Sequence, residues 1–249
     1  MRVNELVDAV YVLSVRTFAD RIAHINAEMA RHGIHFRFMF EHDADNLNDE
    51  LLVRTFGLSD LKKSHQSLVL KHIEVWCEAI VNGYNRVLVF EDDAVLDDDF
   101  DKNFLEAMEA ADALPPGWMI FLGGSDTKVP DQYFLEPGPL VELPIATAEG
   151  CVHDLTAMQR RLDWLTHNRV TLPADHLIKH IDMATGVRQF WLRHPVVEQG
   201  SVLGMFDSSL DGNRQKHTRA FNILRNRWNK FQRRHLREWL VRAKSVFSN

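Results

Sequence analysis

Val87-Leu88-Val89-Phe90-Glu91-Asp92-Asp93-Ala94-Val95-Leu96 is the stretch that decides how this chain folds. Four consecutive apolar residues read as a strand buried on both faces, and the abrupt change to three carboxylates brings acid to the rim of a sheet. In open α/β sheets that rim, at the carboxyl ends of the strands, is where ligands bind. Three adjacent negative charges repel one another unless a cation joins them. Hard oxygen ligands suit Mg²⁺ or Mn²⁺, and such an ion can in turn hold a diphosphate. Glu91 and Asp93 are the candidate metal ligands, and Asp92 points the other way if strand alternation persists. The plain alternative is a solvated strand end, which is how the next acids, Asp97, Asp98, Asp99 and Asp101, read. They precede Phe104, Leu105, Met108 and Ala111 at helical spacing, so Asp98 or Asp99 caps a helix and the others face water.

Outward from this stretch the signals alternate between strand and helix, which favours an α/β sheet. Val7 to Val15 reads as a strand, Phe18 to Arg31 as a helix stopped at Gly33, and His35 to Phe40 as a second strand, making one βαβ unit. Ser64 is placed to cap a helix running to about Val81, with Leu68, His72, Val75, Trp76 and Ala79 on one face, before Asn82-Gly83 ends it. Downstream, Trp118 to Leu122 reads as a short strand and 127–144 as a long loop with short strands. Asp154 to Leu165 and Ala174 to Ala184 read as helices, and Val187 to Leu192 as the last strand.

The 249 residues allow one large α/β domain or two small ones, with an ordinary apolar fraction of 45%. Cys77 and Cys151 form no CxxC or Cys/His cluster, which argues against a structural zinc or a disulfide framework and fits a reducing compartment. Met1 to Ser14 is too short and too charged for a signal peptide, and no stretch approaches the roughly twenty apolar residues of a membrane span. The expectation is a cytoplasmic protein.

Charge is unevenly distributed. Of 29 Lys and Arg against 35 Asp and Glu, 11 bases and one acid, Glu238, fall between positions 214 and 244, leaving a body of about −16 and a tail of +10. Phe221, Leu224, Trp228, Phe231 and Trp239 recur along one helical face among those bases. That composition suits an interfacial helix on an anionic membrane. The alternatives are a helix packed on the core, or forming a homo-oligomer interface, with an arginine rim, and a nucleic-acid arm; the reading adopted is membrane, with no nucleic acid. The domain expectation is 1–209 for the α/β body and 210–249 for the basic helical extension.

Taken in order, several segments resemble glycosyltransferase family 25, the enzymes of lipooligosaccharide and lipopolysaccharide biosynthesis with eukaryotic relatives that glycosylate collagen. Val12-Leu13-Ser14-Val15-Arg16 with Asp20-Arg21 is similar to its opening strand and Arg-containing turn, and Glu41-His42-Asp43-Ala44 to its acidic element after the second strand. Ser64-His65, eleven residues before Trp76, is similar to its Ser-His helix start, and Val89-Phe90-Glu91-Asp92-Asp93-Ala94 to its apolar strand ending in Glu-Asp-Asp. Pro173-Ala174-Asp175 and His194-Pro195 through Gln199-Gly200-Ser201 are similar to second-half segments, so the resemblance runs from about Val7 to Ser209. Gly150-Cys151-Val152-His153 departs from it, since an aromatic residue is expected there.

The resemblance implies a GT-A fold: a single Rossmann-type nucleotide-sugar domain, here with a C-terminal basic amphipathic tail. It also implies metal-assisted, inverting transfer of a hexose, galactose or glucose, from a UDP-sugar to a lipopolysaccharide, lipooligosaccharide or other surface glycan, at the inner face of the cytoplasmic membrane. Carried onto this sequence, Glu91 and Asp93 hold Mn²⁺ or Mg²⁺ against the donor diphosphate, with His217 as a further ligand and Asp93 counted with the catalytic residues. Arg16, Arg21, Asp43, His65 and Asp92 approach the donor. Asp175 is the first candidate for the base that takes the acceptor proton, its alternative role being a helix cap, and Asp154 is a weaker candidate. A haloacid-dehalogenase-type hydrolase fits less well: it needs an aspartate nucleophile where Glu91 stands, and Ala94-Val95-Leu96 lacks the hydroxyl. An inactive transferase-fold scaffold or sugar-binding module at the membrane is the non-enzymatic alternative.

Overall fold

The computed structural model describes residues 2–124, 129–144, 147–206 and 219–247. The elements in chain order are β1 (Ala9–Leu13), α1 (Ala19–Arg31), β2 (Arg37–Met39), α2 (Asp49–Phe56), α3 (Lys63–Val81), β3 (Arg86–Glu91), β4 (Ala94–Leu96) and α4 (Phe100–Ala111). There follow β5 (Trp118–Phe121), β6 (Leu140–Glu142), β7 (Gly150–Asp154), α5 (Leu155–His167), α6 (Ala174–Thr185), β8 (Arg188–Leu192) and β9 (Val197–Gln199). The tail is α7 (Arg219–Phe231), a π-helical stretch (Gln232–Arg237) and α8 (Glu238–Phe247).

Seven strands form one mixed sheet in the order β2-β1-β3-β7-β5-β8-β6, and β4 with β9 forms a separate antiparallel pair. β1 is parallel to both β2 and β3, and β5 to β8; β7 runs antiparallel to both neighbours and β6 antiparallel to β8. Val87, Leu88, Val89 and Phe90 are completely buried, as a strand covered on both faces must be. Each such side chain contributes roughly 1.5–3 kcal/mol on leaving water. The period-2 alternation sorts them. Leu88 and Phe90 join Val10, Val12, Ile25 of α1 and Phe104 of α4 on one face, whereas Val87 and Val89 join Tyr11, Trp76 of α3 and Met158 of α5 on the other. A third cluster around Phe56, Val69, Leu177 and Ile181 ties α2 and α6 to α3. The result is a Rossmann-like α/β architecture with helices on both faces of the sheet.

Gly33 and Gly83 stop α1 and α3 with φ of 61° and 70°, the left-handed conformation that glycine adopts without a Cβ clash. Other boundaries differ from the sequence reading. α3 starts one residue before Ser64, with Lys62 as its N-cap and no side-chain cap bond, and Asp99 precedes α4 likewise without capping it. Asp154 is not available as a base. Its oxygens accept the amide protons of Ala157, Gly117 and Trp118, so it caps α5 at the sheet edge opposite the acidic triplet. The strand β7 ahead of it has no counterpart in the sequence reading.

The tail lies along the body. Lys230 reaches Asp97 and Glu198 at 2.6 and 2.8 Å, Arg237 donates to the Val129 carbonyl at 2.7 Å and pairs with Asp131, and Val241 is buried in the core.

Candidate functional site

The carboxyl ends of β1 and β3, the start of β7 and the end of β9 meet at one edge of the sheet. There they open into a cavity of about 720 Å³ that also takes its walls from the N-termini of α3 and α6. Because β7 is antiparallel to β3, its entry end lies beside the exit end of β3, and Glu149 is delivered next to Glu91: the Glu91 amide donates to the Glu149 carbonyl at 3.3 Å. The β4–β9 pair closes the floor, with the Gly200 amide donating to the Asp93 carbonyl at 2.7 Å. A Cβ at Gly200 would stand 3.0 Å from that carbonyl oxygen and from the Phe206 ring, which leaves little room for a larger residue at this crossing.

The three acids of the triplet have different surroundings. Asp92 turns to the α1 side, accepting the Ser14 hydroxyl at 2.8 Å and pairing with Arg21 at 2.7 Å. Burial pushes its pKa up, and the guanidinium only partly offsets that. Arg21, pulled down by burial, is held above its ordinary value by Asp92 first and then by Asp93 and Glu91. Asp93 Oδ2 accepts the Ser201 amide at 3.0 Å, while its Oδ1 is buried with no hydrogen-bond partner among the described residues. Among the described residues the Glu91 carboxylate receives one long bond, from Gln199 at 3.4 Å. Its pKa is driven well above the carboxylate range by burial and then by the charges of Asp93, Glu149, Asp92 and Asp175. Glu149 is also raised, by burial first, against the opposing bond from the Thr147 hydroxyl. Among the described residues no three His, Cys, Asp or Glu side chains stand together as a ready-made metal cage.

Opposite these acids the wall carries Ser64, His65, Ser67 and Lys71 of α3 and Ala174, Asp175 and His176 of α6. The first turns of both helices line the cavity and neither helix begins with a side-chain cap, which leaves the positive ends of both at the cavity. Asp175 sits in the first turn of α6, its Oδ1 accepting the His176 amide at 2.8 Å; Pro173, not Asp175, is the N-cap. His65 lies on the cavity wall.

Two of the expected donor contacts stand apart from that wall. Arg16 projects outward, over the Phe40 ring and 4.0 Å from Glu41. Asp43 is buried, accepting Lys71 at 2.8 Å and the Arg16 amide at 3.0 Å, and so anchors the segment that places Ala44 and Asp45 on the cavity wall. Lys71 also donates to the Met39 and Glu41 carbonyls, and burial lowers its pKa despite Asp43. His217 lies outside the described residues.

Sequence reasoning missed Glu149, Glu198, Lys71 and His176. Glu198 sits within a segment singled out by resemblance, and its position between Val197 and Gln199 gives the only signal. Glu149 gives none without the pairing of β7.

Comparisons with known proteins bear on the same elements. Residues 7–126 match the family model of glycosyltransferase family 25 (LPS biosynthesis protein). A curated relative, the probable inactive glycosyltransferase 25 family member 3 of Rattus norvegicus, is 28% identical over 148 residues. The match takes in 54% of this chain and only 26% of that protein, so the chain spans about a quarter of the relative's length. Among solved structures, a mannose-1-phosphate geranyltransferase from Thermus thermophilus aligns with a TM-score of 0.39 and 13% identity over 74% of this chain and 72% of that one. The likeness to glycosyltransferase family 25 is thus established for residues 7–126, the segment that carries β1 to β5 and the acidic triplet.

Proposed function

We propose that this chain is a metal-assisted glycosyltransferase with a GT-A arrangement. In this reading it moves a hexose, galactose or glucose, from a UDP-sugar to a lipopolysaccharide, lipooligosaccharide or other surface glycan with inversion at the anomeric carbon. The observation that carries it is the make-up of one cavity: it is lined by the carboxylates Glu91, Asp93 and Glu149, buried and crowded enough that Glu91 is driven well above the carboxylate range, and by the first turns of α3 and α6, neither of which begins with a side-chain cap. The family match over residues 7–126 supports the same class of reaction.

The donor set fits a hard divalent cation. Asp93 Oδ1 is buried without a partner among the described residues, and Glu91 is crowded by four other carboxylates, so added positive charge relieves both. Mn²⁺ or Mg²⁺ would be held by Glu91 and Asp93, with the remaining positions left to the donor's phosphate oxygens and water. The bound ion would stabilise the charge that develops on the departing nucleoside diphosphate without any proton transfer.

The chain's own residues have separate tasks. The N-termini of α3 and α6 favour the negative diphosphate, and Arg21, held by Asp92, adds a fixed positive charge beside it. Asp175 accepts only one amide bond in the first turn of α6 and lies within the field of Glu91, which suits it to take the acceptor hydroxyl proton. Ser14 and Arg21 hold the Asp92 carboxylate at the cavity wall, so that its oxygens are committed to them rather than to a metal. In this reading the protein works at the inner face of the cytoplasmic membrane, where such acceptors are assembled.

Calorimetry with UDP tests the site. Affinity is expected to fall at least tenfold in EDTA or in Asp93→Asn, on the order of 1.4 kcal/mol or more; equal affinity with and without metal would refute it. Asp175→Asn should abolish sugar transfer and spare UDP binding, and retained turnover would remove Asp175 as the base. The relative named as probably inactive, with the lack of a ready-made metal cage among the described residues, favours a second reading as a sugar-binding scaffold. Metal-dependent UDP binding without turnover of any donor sugar would select it.

A further inference from the structure

The tail presents two unlike faces. Its inner face is fastened to the body by Lys230 on Asp97 and Glu198, by Arg237 on Val129 and Asp131, and by the buried Val241. Its outer face carries Leu224, Trp228 and Phe231 from α7 and Trp239 and Leu240 from α8, all exposed, with Trp228 at 53% and Trp239 at 66%. Trp228 and Phe231 stack on one another at 5.8 Å, forming an aromatic ledge rather than scattered side chains. On α7, Lys230 lies on the side opposite Leu224 and Trp228, and Arg225 and Arg227 fall on the two flanks of the stripe. The π-helical stretch between Gln232 and Arg237 breaks the α-helical phase. Within α8, Val241 is buried while Trp239, about half a turn away from it around the helix, and Leu240 are exposed.

We infer that this outer face of the tail is a docking surface for an anionic lipid bilayer, with the aromatic stripe entering the headgroup boundary and the flanking arginines on the phosphates. Charge selects the occupant. The tail carries 11 bases and one acid while the rest of the chain is about −16, so an acidic surface draws the tail toward it and repels the body. The apolar side rules out a purely electrostatic partner: exposed tryptophan, phenylalanine and leucine on one stripe gain only where an apolar phase receives them. No helix among the described residues is long and apolar enough to cross a membrane, so the contact is interfacial. Lys230 ties the inner face of the tail to Glu198 on the cavity wall, so the docked stripe faces away from the body on the far side of the same helix. The docking itself is independent of what the cavity catalyses.

Flotation of the full chain with vesicles tests the surface. Vesicles of phosphatidylcholine with about a third phosphatidylglycerol are expected to bind at least tenfold more protein than phosphatidylcholine alone. Each base near the surface is worth about a fivefold change, so Arg225→Glu with Arg227→Glu should lower binding by about 25-fold or more. Trp228→Ser with Trp239→Ser, both at exposed positions, should lower it at least tenfold with an unchanged circular dichroism spectrum. Equal binding to neutral and anionic vesicles, or binding untouched by either pair of substitutions, would overturn the inference. So would a concentration-dependent dimer, measured by sedimentation without lipid, that the tryptophan substitutions dissolve; that result would assign the stripe to a second copy of the chain. Binding to a DNA duplex that the tryptophan substitutions weaken, without binding to anionic vesicles, would overturn it in favour of nucleic acid.

Discussion

Removing the charge of Asp182 should cost more stability than any change on the surface, because of what it leaves behind. Arg161 is fully buried under the sheet, with Asp182 equally enclosed, and the two form a bidentate pair at 2.7 Å for both bonds. Gln189 adds a third bond to Asp182 at 2.7 Å, and the guanidinium lies 5.3 Å over the Trp76 ring and 2.6 Å from His153 Nδ1. Neither nearby histidine can replace the lost carboxylate, because an imidazole is neutral or positive and never carries the negative charge that Arg161 needs. Burial, then the charge of Arg161, pushes His72 down to about 3 and His153 well below its usual value, so both are neutral at pH 7. Asp182→Asn therefore strands an unpaired guanidinium in the core, which costs about 3–5 kcal/mol. At roughly 2–4 °C per kcal/mol for a chain of this size, the melting midpoint should fall by about 6–20 °C. Thermal unfolding followed by circular dichroism measures it, with Arg161→Met in the Asp182→Asn background as the companion. Removing the stranded charge should restore most of the loss. A single variant within about 1 kcal/mol of the parent, or a double variant no more stable than the single, would refute the argument.

Three further outcomes follow from the cavity. Glu91 and Glu149 have folded pKa values raised above the ordinary 4.5, so the native state binds more protons than the unfolded chain and stability falls as pH rises above about 4.5. The stability of Glu149→Gln relative to the parent should therefore grow with pH through that window, and urea titrations at pH 4.5 and 7.5 showing no change in the difference would contradict it. Adding Mn²⁺ at pH 7.5 should stabilise the parent and leave Asp93→Asn unmoved, as thermal midpoints would report. Gly123→Ala places a Cβ 2.3 Å from Glu149 Oε1 and must displace that side chain. Overpacking of this kind costs about 1–3 kcal/mol, and metal-dependent UDP affinity should change with it. An unchanged calorimetric titration would separate Glu149 from the site.

The region around the triplet was legible because it is local. Four fully buried residues followed by acid specify a two-sided strand and its exit, and Glu91, Asp92 and Asp93 all reach the cavity wall. The inequality among them was only half legible. Alternation separates Asp92 from its neighbours, but its attachment to Arg21, 71 positions away, depends on how α1 packs against the sheet. Asp43 carries the right chemistry at an expected place, yet its carboxylate is committed to Lys71, a residue whose burial no periodicity announces.

By itself the sequence determined the alternation of strands and helices, the acidic strand exit, the glycine stops of α1 and α3, and a basic tail with an aromatic stripe. All of these follow from periodicities of two and 3.6 residues, turn chemistry and charge counts within a short window. Only the tertiary structure decided that β7 runs antiparallel beside β3 and so brings Glu149 to Glu91, and that β9 returns with Ser201 to bond Asp93 across 108 positions. It also decided which face of the tail meets the body. Strand partner, direction and helix docking depend on burying apolar surface shared by segments distant in the chain, and a local pattern carries no record of which distant surface will be there to receive it.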